Sequence, residues 1–236
     1  MVDIYSTRFR NQTGILDVSL YDYLDLAIVG VGSIGSFLSF SLNKLGFENM
    51  VIIDHDVVEE HNVPTQLYSD GNIGQPKTIA LSKLLTGNIS SYIGKVTSTN
   101  KINTDVVFVC VDSFTQRKQI LTAILESKKR YDVPKLLIDG RMHRLVFEVY
   151  TILLDNKNSV DGYLKSLNQE GFGGACTEKG IIQNTLAVVS VMIEQFRKVL
   201  EGDEFNEIVI SDFERFKFIS TDISTKKNQK NQRRTK

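Results

Sequence analysis

Lys77, Asp112 and Asp54 are side chains that could handle a nucleotide, and they follow the run Gly30-Val31-Gly32-Ser33-Ile34-Gly35. A lysine ammonium neutralises phosphate charge. A carboxylate at a strand end can bond ribose hydroxyls or hold Mg²⁺, and a glycine-rich turn lets backbone N–H groups approach a phosphate closely. Together they suit transfer of a phosphoryl or nucleotidyl group. Hydride transfer from NAD would use the glycines and Asp54 and leave Lys77 and Asp112 idle, so the set tilts toward Mg·ATP.

Such residues need elements to place them. Leu26-Ala27-Ile28-Val29 is continuously apolar, as a parallel strand buried on both faces should be. Gly30 allows the tight turn, Gly32 lets backbone approach a phosphate, and Gly35 lets a helix pack closely on the strand. That helix begins near Ser33, where free N–H groups suit an anion, and stops at Gly46. A second apolar strand, Met50-Val51-Ile52-Ile53, delivers Asp54. The pattern then predicts an irregular polar segment over 56–76, a helix over 77–91, and a strand over 105–111 ending at Asp112. A helix over 115–129 and a strand over 135–139 follow. Residues 145–154 are β-rich, 161–170 read as a short helix, 171–174 as a flexible loop, and 181–200 as a long apolar helix. Two short strands lie within 207–220, and residues 1–20 read as an arm or helix with Arg8 and Arg10. This alternation predicts an α/β fold. The sheet is Rossmann-like, mostly parallel and flanked by helices, with an antiparallel extension in the C-terminal half. One domain covers 1–222, and 223–236 form a basic disordered tail.

The 28 basic and 28 acidic residues cancel, so nothing draws the whole chain to nucleic acid or a membrane. Only the tail, with Lys226, Lys227, Lys230, Arg233, Arg234 and Lys236, could touch nucleic acid or a partner, and the plainer reading is a solubilising tail. Two cysteines, Cys110 and Cys176, exclude a disulfide framework and a four-cysteine zinc site, and a reducing cytoplasm fits. The uncharged stretch 26–42 is too short and glycine-broken to cross a membrane. Cys110 sits in a strand and reads as core, and His55 and His61 read as loop residues rather than a metal pair.

Further motifs follow the glycine turn in order. They are Asp54-His55-Asp56-Val57-Val58, Asn62-Val63-Pro64-Thr65-Gln66 and Gly74-Gln75-Pro76-Lys77, then Asp112 with Arg117, and Cys176-Thr177-Glu178-Lys179-Gly180. With them the chain resembles the ThiF/MoeB-type adenylyltransferases of the ubiquitin-activating-enzyme superfamily, over residues 5–220. The resemblance implies that Gly30, Gly32, Ser33, Ile34 and Gly35 form the phosphate turn and that Asp54 binds ribose. Asn62, Gln66 and Lys77 would contact the triphosphate, Asp112 would hold Mg²⁺, and Asp56 and Arg117 would complete the nucleotide site. The implied reaction is attack of a carboxylate on the α-phosphate of ATP, giving an acyl-adenylate and pyrophosphate. The implied substrate is the C-terminus of a ubiquitin-like or sulfur-carrier protein, and the implied assembly a cytoplasmic homodimer.

The chain departs from the pattern at Thr65, where the family carries a phosphate-binding arginine. Arg8 or Arg10 could replace it, one of them reaching in from a partner subunit, as could Arg141 or Arg144. The paired Cys-x-x-Cys motifs of many relatives are absent, so no structural zinc is expected. Cys176 could accept the activated acyl group as a thioester, but a matching cysteine also occurs in relatives that only adenylate. Other readings stay open. They are a small-molecule or RNA-linked carboxylate substrate, an inactive family member serving as a structural partner, and an NAD-dependent oxidoreductase.

Overall fold

Leu26–Val29 forms β1, with every residue buried. Strands β2 (Asn49–Asp54) and β4 (Val106–Val109) pair with it in parallel on either side. The protein is described by a computed structural model covering residues 7–100, 102–128, 135–168 and 181–223. Its remaining strands are β3 (Asn88–Ile93), β5 (Leu136–His143), β6 (Val146–Leu153), β7 (Ile208–Asp212) and β8 (Lys217–Thr221). They join one eight-stranded sheet in the order β3-β2-β1-β4-β5-β6-β7-β8. Pairing is parallel from β3 to β5 and antiparallel from β5 to β8. This is the expected Rossmann-like sheet with its antiparallel extension.

Among the described residues, five α-helices cover the faces: α1 (Ser33–Leu45), α2 (Lys77–Ser82), α3 (Phe114–Lys128), α4 (Lys157–Ser166) and α5 (Ile182–Glu201). Leu38 and Leu42 of α1 and Met192 and Phe196 of α5 share one core with Leu26, Ile28 and Phe108. Ile120 and Ile124 of α3 and Tyr163 of α4 share the other with Ala27, Val107 and Leu137. The Phe196 ring meets Phe108 edge-on at 5.3 Å. Burying a ring of that size contributes about 1.5–3 kcal/mol. Gly46 ends α1 in the left-handed conformation at φ 108, donating its N–H to the helix's last turn. A Cβ there would press on Phe9 and Val18, so the same glycine lets the N-terminal segment pack against the end of α1.

The helix expected over 77–91 is shorter, because α2 stops at Ser82 and β3 follows. Asn88-Ile89-Ser90-Ser91-Tyr92-Ile93 carries an edge strand's mixed, largely exposed pattern, which a helical reading absorbs easily. Gly87, at φ 97, makes the break. Among the described residues, no helix is long and apolar enough to cross a membrane. Residues 171–174 and 224–236, expected as a loop and a tail, lie outside the described residues.

Candidate functional site

Strand order reverses direction around β1 and β4, and a crevice opens beyond the carboxyl ends of strands at such a point. A cavity lies there. Its lining includes Gly30, Gly32, Ser33 and Ile34 from the β1–α1 turn, and Asp54, His55 and Asp56 from the end of β2. Gln66, Lys77, Asp112 and Arg117 join them. The far wall is the β5–β6 hairpin, from Gly140 to His143 and from Val146 to Glu148.

The turn is built tightly. Gly30 takes φ 87, and a Cβ on it would stand 2.8 Å from the Cys110 carbonyl oxygen. A Cβ on Gly35 would overlap the Gly30 carbonyl oxygen. Gly35 therefore does not line the cavity; it lets α1 seat on the turn. At Gly32 the nearest atom to a Cβ would be Gln66 Nε2 at 4.0 Å, which leaves backbone open to a ligand. Asp54 is 7% exposed and holds the turn from below. Its Oδ2 accepts the Val31 N–H at 2.7 Å and its Oδ1 accepts the Asp56 N–H at 2.9 Å. Each oxygen keeps a further lone pair for a hydroxyl.

Lys77 opens α2 and is buried, with its own N–H donating to the Asp56 carbonyl at 3.0 Å. Its Nζ donates to Asp56 Oδ2 at 3.0 Å, while His55 Nε2 lies 3.1 Å from Asp56 Oδ1. Asp54, His55 and Asp56 bring three ligand-type atoms within 4.8 Å of one another. His61 instead faces Glu59 at 3.2 Å, so the two histidines do not converge. Gln66 lines the cavity with its side-chain Oε1 buried and without a hydrogen-bond partner. Asn62 stands behind: its Oδ1 accepts the Glu59 N–H at 3.0 Å in a capping box, and it does not reach the cavity wall.

The hairpin wall rests on a buried charge cluster that the sequence reading missed. Asp139, fully buried, accepts from Arg117 Nε at 2.9 Å and Arg141 Nε at 2.6 Å. Tyr163 also donates to it, at 3.0 Å. Burial pushes the Asp139 carboxyl up, but the two guanidiniums outweigh it and hold the carboxyl below its ordinary range. Burial alone would lower Arg141; Asp139 beside it reverses the sign and holds the guanidinium charged. Arg141 also lies 4.0 Å from the Tyr150 ring centroid. The available sequence signal was a third carboxylate at the end of an apolar strand, the same placement as Asp54 and Asp112.

The possible substitutes for the missing arginine now separate. Arg141 lines the cavity. Arg8 and Arg10 are exposed and do not line it, and Arg8 lies 3.6 Å from Glu48. Arg144 sits in the β5–β6 turn at φ 52, exposed and away from the cavity wall. Thr65 also stays off that wall. Cys110, read as core, is half-buried just past β4 and lines the cavity. Burial first, and Asp139 second, push its thiol up, which makes it a poor nucleophile. Cys176 lies outside the described residues.

Comparison with known proteins agrees with this architecture. Ubiquitin-like modifier-activating enzyme 5 of Dictyostelium discoideum is 26% identical over 129 residues, which is 46% of this chain and 34% of that protein. Its counterpart from Oryza sativa subsp. japonica is 29% identical over 137 residues, 48% of this chain and 32% of that protein. The matched regions thus span about a third of these curated relatives. Among solved structures, E. coli MccB with ATP superposes with TM-score 0.67 at 15% identity, over 92% of this chain and 71% of that one. E. coli tRNA N6-threonylcarbamoyladenosine dehydratase, TcdA, in complex with ATP superposes with TM-score 0.64 at 16% identity, over 85% and 96%. These structures share the fold. The ThiF family model matches residues 22–234, and the chain belongs to the ThiF family.

Proposed function

We propose that this protein is an ATP-dependent adenylyltransferase that activates a carboxylate, in the first instance the C-terminus of a ubiquitin-like or sulfur-carrier protein. The observation that carries the reading is the convergence of separate motifs on one cavity. The glycine turn, Asp54, Gln66, Lys77, Asp112 and Arg117 all line it. Family membership and likeness to ubiquitin-like modifier-activating enzyme 5 support the reaction class. The fold neighbour MccB was solved with AMPCPP and MccA, which favours a peptide or protein substrate.

In this reading a carboxylate oxygen attacks the α-phosphorus of ATP. The new P–O bond forms as the bond to the bridging oxygen breaks, and pyrophosphate leaves. A carboxylate is already nucleophilic, so no general base is needed. The backbone of the glycine turn holds phosphate oxygens, Asp54 orients the ribose, and Lys77 neutralises charge on the leaving group. Asp112 is an exposed carboxylate on the cavity wall, a hard oxygen donor of the kind that suits Mg²⁺. Bound there, Mg²⁺ would supply further neutralisation of phosphate charge. Arg141, anchored by Asp139, is the favoured stand-in for the arginine missing at Thr65. Arg10 acting from a second copy, and Cys176 accepting the acyl group, stay as secondary proposals.

The test is calorimetric titration with Mg·ATP and with NAD, on the wild type and on Asp112→Ala. Mg²⁺-dependent ATP binding that weakens in the variant is the expected result. Binding of NAD without ATP would overturn the reading in favour of an oxidoreductase.

A further inference from the structure

The residue that allows a phosphate to approach the turn creates a problem. Gly32 has no Cβ, so the peptide joining Val31 to Gly32 meets little resistance to rotation. Turned one way, that peptide offers the Gly32 N–H to the cavity. Turned the other way, it offers the Val31 carbonyl oxygen, which repels an anion. Something outside the turn must choose.

The structure shows what holds the plane. The Tyr68 hydroxyl donates to the Val31 carbonyl oxygen at 2.7 Å. Tyr68 is 5% exposed and does not line the cavity, and Val31 is fully buried. The N–H of a trans peptide points opposite to its C=O. With the Val31 carbonyl held toward Tyr68, the Gly32 N–H points to the other side, where Gly32 lines the cavity. The preceding peptide is fixed independently, because Asp54 Oδ2 takes the Val31 N–H at 2.7 Å. The segment bearing Tyr68 is itself tied to α1, since the buried Ser36 Oγ accepts the Leu67 N–H at 3.1 Å. Burial first, then Asp54 and Asp56, push the Tyr68 hydroxyl up, so it remains a donor throughout the working pH range.

We propose that Tyr68 is a positioning residue for the phosphate cradle, its hydroxyl locking the Val31–Gly32 peptide with the Gly32 N–H facing the cavity. The role rests on the nucleotide reading above and assigns Tyr68 to the triphosphate end of the ligand, with no part in holding the nucleoside.

The test compares wild type and Tyr68→Phe, which removes the hydroxyl and keeps the ring, in calorimetric titrations with Mg·ATP, tripolyphosphate and adenosine. Affinity for ATP and tripolyphosphate should fall about tenfold, while adenosine binding stays unchanged. A merely structural loss would lower the melting temperature and weaken all three ligands alike, which would overturn the proposal. Equal ATP affinity in the two proteins would overturn it too. If the wild type binds neither ATP nor tripolyphosphate, the nucleotide reading fails by itself. The lock is then decided on the ligand-free protein by amide NMR. There Tyr68→Phe should move and broaden the Gly32 resonance, and an unmoved resonance would refute it.

Discussion

The Lys77 ammonium sits 3.0 Å from the Asp56 carboxylate at the edge of the cavity, so the cation is already aimed before any ligand arrives. Their backbones are joined as well, the Lys77 N–H donating to the Asp56 carbonyl, a bond that survives loss of the side chain. Replacing Lys77 by Ala should therefore cost catalysis more than fold. A loss of about 10²- to 10³-fold in ATP–pyrophosphate exchange is expected, with a melting temperature near that of wild type. Exchange at the wild-type rate would remove Lys77 from the mechanism.

Asp139 carries the opposite balance. Asn at this position takes the carboxylate from buried Arg117 and leaves Arg141 only the more distant Glu148, at 3.8 Å, and urea unfolding should show a loss of about 3–5 kcal/mol. The pH dependence follows from the depressed carboxyl. A folded-state pKa below the unfolded one stabilises the protein at neutral pH, and that contribution fades once the pH falls below about 4. Asp139→Asn should thus lose less stability than wild type between neutral pH and acid. An identical acid profile in the two proteins would contradict the assignment.

Gly35 and Gly140 make a matched pair of tests. A methyl at Gly35 would strike backbone, the Gly30 carbonyl, which has nowhere to go. Gly35→Ala should exceed the usual 1–3 kcal/mol of overpacking and yield little folded protein. At Gly140 the methyl would meet the Met192 sulfur, the end of a flexible side chain. That change should cost about 1 kcal/mol, as judged by thermal melting.

Arg144 holds a backbone conformation at φ 52 that suits glycine better than arginine. Arg144→Val should destabilise by about 1–2 kcal/mol. Arg144→Gly should retain both stability and adenylation, because the side chain stands off the cavity. Loss of adenylation in Arg144→Gly, measured by pyrophosphate exchange, would restore Arg144 as the substitute for the arginine missing at Thr65.

Strands β1, β2, β4 and the start of β5 were legible because they read as unbroken apolar runs, each followed by a glycine or an aspartate. The glycine turn, Asp54 and Asp112 stood out for the same reason, since they follow those runs, whereas Lys77 stood out only through the Gly74-Gln75-Pro76-Lys77 motif at a helix start. β3 was missed because an edge strand has no continuous buried face to imprint. Asn62 matched a motif yet turns inward to cap its own 3-10 turn, which no spacing reveals. Asp139 was read as a strand end and nothing more, because its partners Arg117, Arg141 and Tyr163 meet it only through the folded sheet. Tyr68 lay unnoticed within the irregular segment, since its hydroxyl acts on a backbone carbonyl far back in sequence.

The change from parallel to antiparallel pairing at β5 also bears on how the molecule assembles in time. β5 and β6 close on each other through Arg144 and Leu145, and β7 and β8 through residues 213–216. Such hairpins zip up within microseconds. β1 must instead capture β2 and β4 across long stretches of chain, Leu26 meeting both Met50 and Val106. That search is slow. The hairpin wall should form early, and the glycine turn should reach Asp54 late. A nucleotide would then meet a finished pocket, so added Mg·ATP should slow unfolding while leaving the refolding rate unchanged.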